Sequence, residues 1–230
     1  MRLAIVVPTL NEAATVERSL RQLEPLRRRG VVVVVVDGGS ADATLARATP
    51  LADRVLAAPR GRALQMNAGA RSPEALGADV LLFLHADTTL PEDADRSVLR
   101  ALANSERVWG RFDVSIEGGS PWLRIVSAAM NLRSRMTGIA TGDQALFIER
   151  SSFVALDGFA PIPLMEDIDF CARAKRLSRP LALRARVRTS GRRWERDGVW
   201  RTILLMWQLR WAYFFGADPA QLAQRYRDPR

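Results

Sequence analysis

Short apolar runs alternate with amphipathic stretches through the first 90 or so residues. Leu3 to Val7 is apolar, partly β-branched and closed by Pro8, as a buried strand should be. Ala13, Val16, Leu20 and Leu23 then recur at helical spacing, which predicts a helix over 12–23 with Thr9 or Asn11 able to cap it. Val31 to Val36 is six consecutive valines without alternation, the pattern of a central strand buried on both faces. Asp37-Gly38-Gly39-Ser40 breaks that run, and Asp42 is placed to cap a helix reaching Ala48. A third strand is expected over 54–58, a helix over 61–70, and a fourth strand over 80–84 that ends at His85-Ala86-Asp87. This βαβαβαβ rhythm predicts a parallel α/β sheet with helices on both faces.

Beyond Asp87 the rhythm loosens. Helices are expected over 92–103, 122–136 and 166–177, with strands over 108–116 and 144–148. Leu181, Leu183, Ala185 and Val187 alternate with Ala182, Arg184, Arg186 and Arg188, a strand with one apolar and one basic face. From Val199 to Phe215 the chain is apolar nearly all round a helix, interrupted by Arg201, Gln208 and Arg210. Such a helix is buried, at an interface or in lipid. Two arginines interrupt a run already short of the ~20 apolar residues a membrane span needs. The expectations for it are packing on the domain, a homodimer contact, or peripheral contact with a membrane surface, since basic and aromatic residues together suit lipid headgroups.

Composition narrows the chemistry. The 230 residues contain one cysteine, Cys171, and one histidine, His85, so an intrachain disulfide and a Cys/His zinc site are both excluded. Cys171, inside a predicted helix, reads as a small buried apolar residue. Lys and Arg number 34 against 25 Asp and Glu, a net charge of +9. That charge raises the possibility of a basic nucleic-acid-binding module, but the basic residues do not interleave with aromatics on one sheet face, and no nucleic-acid partner is expected. No secretory signal is visible at the start, so a cytoplasmic protein is expected, with the inner face of the cell membrane as a peripheral site.

In a parallel α/β sheet, ligands bind beyond the carboxyl ends of the strands. Three strands deliver polar residues there: Pro8-Thr9-Leu10-Asn11-Glu12, Asp37-Gly38-Gly39-Ser40, and His85-Ala86-Asp87-Thr88. Neither G-x-G-x-x-G nor G-x-x-x-x-G-K-[ST] occurs, which disfavours a dinucleotide site or a Walker loop. A nucleotide would instead need a carboxylate to read the base and a hard metal ion at the phosphates. Each motif also has a plainer reading. Asp37 to Ser40 can be a turn, His85 a hydrogen-bonded strand end, and Glu166-Asp167 ordinary helix N-terminal carboxylates. Asp113 and Asp143 divide between substrate contact and structural cap.

Taken in order, these motifs resemble family-2 glycosyltransferases of the GT-A fold. The resemblance rests on Pro8 to Glu12, on Asp37-Gly38-Gly39-Ser40 with Asp42 and Thr44, and on Gly61 through Asn67 to Gly69. It continues in His85-Ala86-Asp87 at the family's D-x-D position and in Gly158-Phe159, Met165-Glu166-Asp167 and Arg173. Gly110-Arg111-Phe112-Asp113, Gly142-Asp143-Gln144 and Ile162 to Asp167 further resemble a small bacterial subgroup associated with arsenosugar biosynthesis. Two departures stand out. The first carboxylate of D-x-D is His85, and Met66 stands where the family often has arginine, leaving Arg62 or Arg60 to face the phosphates.

The resemblance implies a mixed, mainly parallel α/β sheet flanked by helices, with a helical C-terminal tail. It implies one domain over 1–230: a nucleotide-binding half over 1–90, an acceptor-side half over 91–190 and a tail over 191–230. Its implied reaction moves a sugar from a UDP- or GDP-linked donor to a hydroxyl acceptor, small or lipid-linked, with inversion and with Mg²⁺ or Mn²⁺. Pro8, Thr9, Asn11, Glu12, Asp37, Gly38, Arg62, Asn67, His85 and Ala86 would contact the donor, Asp37 by accepting a base N–H. Asp87 would hold the metal, Asp167 would be the general base, and Asp113, Asp143, Gln144 and Glu166 would face the acceptor. A nucleotidyltransferase is the rival enzyme; it would want a Gly-rich, Lys-bearing loop after the first strand, where Pro8 to Glu12 stands.

Overall fold

The computed structural model describes residues 1–227, so 228–230 of the expected tail lie outside the described residues. Eight strands form one sheet: β1 (Leu3–Thr9), β2 (Val32–Asp37), β3 (Arg54–Ala57), β4 (Val80–Phe83), β5 (Thr88–Thr89), β6 (Trp109–Glu117), β7 (Leu146–Glu149) and β8 (Leu181–Ser190). Their order is β3-β2-β1-β4-β7-β6-β8-β5. The helices, in chain order, are α1 (Val16–Arg21), α2 (Glu24–Arg28), α3 (Thr44–Ala48), α4 (Arg62–Ala70), α5 (Pro73–Leu76) and α6 (Ala94–Ala103). They continue with α7 (Trp122–Thr137), α8 (Arg150–Ala155), α9 (Glu166–Ala174), α10 (Arg192–Asp197), α11 (Val199–Phe214) and α12 (Pro219–Arg227).

The valine run explains the layering. Val33 and Val35 join one buried cluster while Val34 and Val36 join another, because successive side chains leave a strand on opposite faces. The first cluster packs β1 and β2 against Val16, Leu20, Leu26, Val98, Leu123 and Val126, from α1, α2, α6 and α7. The second packs them against Ala63, Met66, Ala70, Phe153, Phe170 and Cys171, from α4, α8 and α9. Gly69 lets α4 come close; a Cβ there would lie 2.4 Å from Val6 Cγ1. Cys171 is buried as expected, and burial pushes its thiol up to about 12.

The parallel expectation holds for β1 to β4. Farther along, β7 runs antiparallel to both β4 and β6, and β5 antiparallel to β8, so the sheet is mixed. β6 and β8 are parallel, with a register shift between Phe112 and Asp113. The helix expected over 12–23 begins only at Val16 and gives way to the short α2. Neither expected cap serves it: Thr9 is still in β1, and Asn11 has φ +54° and accepts from Ala41 N at 2.9 Å. Gln144 is not in β7 but in a 3-10 turn, Gly142–Gln144, ahead of it. The two-residue β5 and the short α5, α8 and α10 have too few residues to show a period.

Helix α11 packs by the face opposite to its aromatic one. Leu209 of α11 is buried against Met165 and Leu222, while Trp200, Leu204, Trp207, Trp211, Phe214 and Phe215 are exposed. No helix among the described residues is long and apolar enough to cross a membrane.

Candidate active site

Because β1 and β4 are adjacent and parallel, their carboxyl ends open on the same side. A cleft of about 300 Å³ lies there. Pro8 and Thr9 at the end of β1 and Glu12 after it enter its wall, His85, Ala86 and Asp87 follow β4, and Arg60, Arg62 and Gln65 come from the start of α4. Asp143, Glu166 and Tyr226 close the far side. Met165, with φ +70°, turns the chain sharply before α9, so that the helix begins with Glu166 in the cleft wall. Carboxylates in that first turn are favoured by the helix dipole.

The electrostatics follow from crowding of acids around one arginine. Desolvation works against charge on Arg62, but Tyr226, Glu166, Asp143 and Asp167 outweigh it and raise its pKa. Burial raises Asp87, with Asp143 and Glu12 adding repulsion and His85 and Arg62 opposing it. Burial likewise raises Glu166, reinforced by Asp167. Asp167 is raised by burial too, in spite of backbone N–H donation from Gly142 (3.0 Å) and Ile168 (2.8 Å). Asp143 goes the other way: desolvation opposes ionisation, yet His85 and Arg62 hold its pKa down. His85 Nδ1 is 3.2 Å from Asp143 Oδ1.

Several expected site residues are spent on the fold. Asp37 Oδ2 accepts from Gly39 N (2.9 Å) and Ser40 N (2.8 Å), and Oδ1 accepts from Ser40 Oγ, so its own turn fills most of the carboxylate. Gly38 lies against the amide of Gln65, which donates to Thr9 O and Val36 O at 2.8 Å each. Asn67 clamps Phe159, donating to its carbonyl at 2.8 Å and accepting from its N–H at 2.9 Å. Asp113 is ion-paired with Arg111 and Arg135. Gln144 is fully buried and donates to Phe112 O and Asn131 Oδ1. None of these five, nor Asn11, is in the cleft wall, and Asp167 stands one residue behind it.

The wall also holds residues that the motifs did not single out. Gln65 is inside the Gly61 to Gly69 motif, and its position there was the available signal. Tyr226 and Ala223 arrive on α12, more than fifty residues from any other wall residue; no local pattern points to them.

Among the described residues no group of three or more His, Cys, Asp or Glu is arranged to hold a metal ion. The residues still fit a Mg²⁺-type ion, which is held by one or two carboxylates plus substrate phosphates rather than by a protein cage. Asp87 is such a carboxylate: part-buried, in the cleft wall, and without an ion-pair partner among the described residues.

A family model for Glycosyl transferase family 2 matches residues 4–156. The succinoglycan biosynthesis protein ExoA of Rhizobium meliloti is 40% identical over 106 residues, 43% of this chain and 32% of that protein. This chain therefore matches about a third of the length of that relative. In three dimensions it resembles S. aureus TarS 1-349 in complex with UDP-GlcNAc, with a TM-score of 0.66, 18% identity, and coverage of 83% of this chain and 58% of that one. It also resembles the mannosyltransferase PcManGT of Pyrobaculum calidifontis in complex with GDP-Man and Mn²⁺, at a TM-score of 0.61, 21% identity, and coverage of 81% and 56%. Glucosyl-3-phosphoglycerate synthase of Mycobacterium tuberculosis, in complex with Mn²⁺, UDP and glucosyl-3-phosphoglycerate, follows at 0.53, 22% identity, and coverage of 81% and 70%. These structures share the fold, a GT-A-like mixed sheet flanked by helices. The sequence match over 4–156 goes further: the chain belongs to glycosyl transferase family 2.

Proposed function

We propose that this protein transfers a sugar from a UDP- or GDP-linked donor to a hydroxyl acceptor, with inversion and with Mg²⁺ or Mn²⁺. The observation that carries the proposal is the cleft at the ends of β1 and β4, where Asp87, Asp143 and Glu166 face Arg60 and Arg62. A nucleotide diphosphate needs that mixture: cationic groups for its phosphates and a carboxylate for the ion between them. Support also comes from the structural neighbours, which were captured with UDP-GlcNAc, with GDP-Man and Mn²⁺, and with UDP and Mn²⁺.

In this reading Asp87 would hold the metal, which when bound neutralises charge developing on the leaving diphosphate. Arg62 and Arg60 bind the same diphosphate from the α4 side. Thr9, Glu12 and the Pro8 backbone flank the base and ribose, and Asp37 accepts the base N–H once Ser40 Oγ swings off Oδ1. Asp167 takes the proton of the acceptor hydroxyl. That oxygen bonds to the anomeric carbon as the bond to the diphosphate oxygen breaks, and the nucleoside diphosphate leaves with the electron pair. Burial favours this role for Asp167, because a raised pKa makes a carboxylate a better proton acceptor. The likeness of Gly110 to Asp113, Gly142 to Gln144 and Ile162 to Asp167 to the arsenosugar-associated subgroup extends the proposal to that subgroup.

Thermal melts with UDP, GDP and their sugar conjugates, each with and without Mn²⁺, test the donor. A bound nucleotide raises the melting temperature by mass action, by about 2.7 kcal/mol of stability at a hundred times its Kd. No shift with any of them would end the proposal. Release of pyrophosphate from a nucleoside triphosphate, rather than of nucleoside diphosphate from a sugar conjugate, would favour the nucleotidyltransferase.

A further inference from the structure

The donor cleft has a neighbour. A groove of about 470 Å³ runs between α7 and α11, within the 300–1,000 Å³ typical of small-molecule sites. Its walls are mainly apolar: Trp122, Ile125 and Ala129 on one side, Trp200, Ile203 and Trp207 on the other. Trp122 and Trp200 meet edge to face, 5.1 Å between ring centroids. This is not core left unfilled, for Ile125 is 59% exposed and Trp207 64%. An exposed apolar groove in a protein whose core is closed elsewhere marks a binding surface.

Two features say what fills it. First, Asp143 is part of the wall of both the groove and the donor cleft, so the groove is continuous with the proposed site of transfer. Second, the groove is not uniformly apolar. Arg133 and Arg210 line it, and Nε and Nη2 of Arg133 are buried with no hydrogen-bond partner. Buried guanidinium nitrogens without a hydrogen-bond partner are costly unless an acceptor meets them. The charge of Asp167, the proposed base, is felt at Arg133. An apolar channel with a cationic group at its end is complementary to a molecule with a hydrocarbon chain and an anionic head.

We infer that the groove between α7 and α11 holds the hydrocarbon chain of an anionic amphiphile that serves as acceptor, with Arg133 on its anionic group and its hydroxyl turned toward Asp143 and the donor cleft. This deepens the proposed function and rests on it. The aromatic face of α11 thereby has a substrate-binding role.

The test uses octyl, decyl and dodecyl phosphate as monomers, below their micelle concentrations, titrated by calorimetry and by tryptophan fluorescence. One equivalent is expected to bind, with affinity rising about two- to fourfold per added methylene. Ile125→Asp and Trp207→Asp, both at exposed positions, should weaken dodecyl phosphate at least about tenfold while Mn²⁺-dependent binding of UDP or GDP is unchanged. Arg133→Gln should remove most of the preference for decyl phosphate over decanol. Nucleotide binding without monomeric alkyl phosphate binding would overturn this inference and leave the donor reading standing. So would binding only to vesicles of anionic phospholipid, which makes the face a membrane contact, or a dimer that Trp207→Asp dissolves. Alkyl phosphate binding without any nucleotide binding would overturn the acceptor role together with the donor reading.

Discussion

His85 and Asp143 hold each other across the cleft, Nδ1 to Oδ1 at 3.2 Å, and Gly142 makes that possible. A Cβ at Gly142 would lie 2.3 Å from His85 Nε2, so the imidazole fits only against a glycine. Gly142→Ala should therefore push the ring away from Asp143 and destabilise the protein by about 1–3 kcal/mol, the usual cost of overpacking. The clash disappears in a His85→Ala background. Melting temperatures of the two single variants and the double variant should be non-additive, with Gly142→Ala nearly silent when His85 is gone. Additive losses would show that the 3-10 turn, not the ring, needs the glycine.

Asp87 carries a stability cost that a bound metal should reverse. Its pKa is raised mainly by burial, so the folded state favours the neutral acid. Stability from that group is present at low pH and is lost as pH rises through the raised pKa. Asp87→Asn should consequently melt higher than wild type at neutral pH without metal, and the gap should close as pH falls through the carboxylate range. The same variant should lose Mn²⁺-dependent nucleotide binding at least about tenfold. An unchanged Mn²⁺ titration would remove Asp87 from the metal site.

What the sequence made legible follows from local chemistry. Six valines in a row can only be a doubly covered strand, and the split of Val33 and Val35 from Val34 and Val36 between two cores follows from that alone. Polar residues after β1 and β4 could be placed at one edge because parallel neighbours share their carboxyl ends. What escaped was decided by competing partners, some next to the residue and some distant in sequence. Asp37 has the motif of a ligand-reading carboxylate, yet hydrogen bonds from Gly39, Ser40 and Thr9 take up most of it. Asp113 looked like a cleft residue until β6 set it between Arg111 and Arg135. Val199 to Phe215 is apolar on nearly every side, and only the contact of Leu209 with Met165 and Leu222 settles which face turns inward.

Asn67 illustrates a motif residue with a structural task. It makes two hydrogen bonds to the Phe159 backbone, and Gly158 (φ +68°) leaves the room, since a Cβ there would be 2.5 Å from Asn67 Oδ1. Asn67→Ala would leave a buried N–H and C=O unpaired, at about 1–3 kcal/mol each. At this chain length the melting temperature should fall by roughly 4–24 °C. A wild-type melt with lost nucleotide binding would make Asn67 a donor contact instead.

The sharpest division of labour to test is between Glu166 and Asp167. Glu166 faces the cleft, whereas Asp167 is behind it with Gly142 N and Ile168 N on its two oxygens. Exposure to the cleft alone would make Glu166 the base. Two things favour Asp167: those N–H groups fix its orientation, and its charge is felt at Arg133 in the groove wall. Asp167→Asn should lower turnover by about 10²–10⁴-fold and leave Kd for the nucleotide nearly unchanged. Glu166→Gln should keep most of the turnover while altering KM for the acceptor. The pH profile gives a second reading. Because burial raises Asp167, the acidic limb of the rate should fall above the ordinary aspartate range, with activity lost as pH drops through it. A limb that vanishes in Glu166→Gln, with turnover lost there and kept in Asp167→Asn, would reassign the base to Glu166.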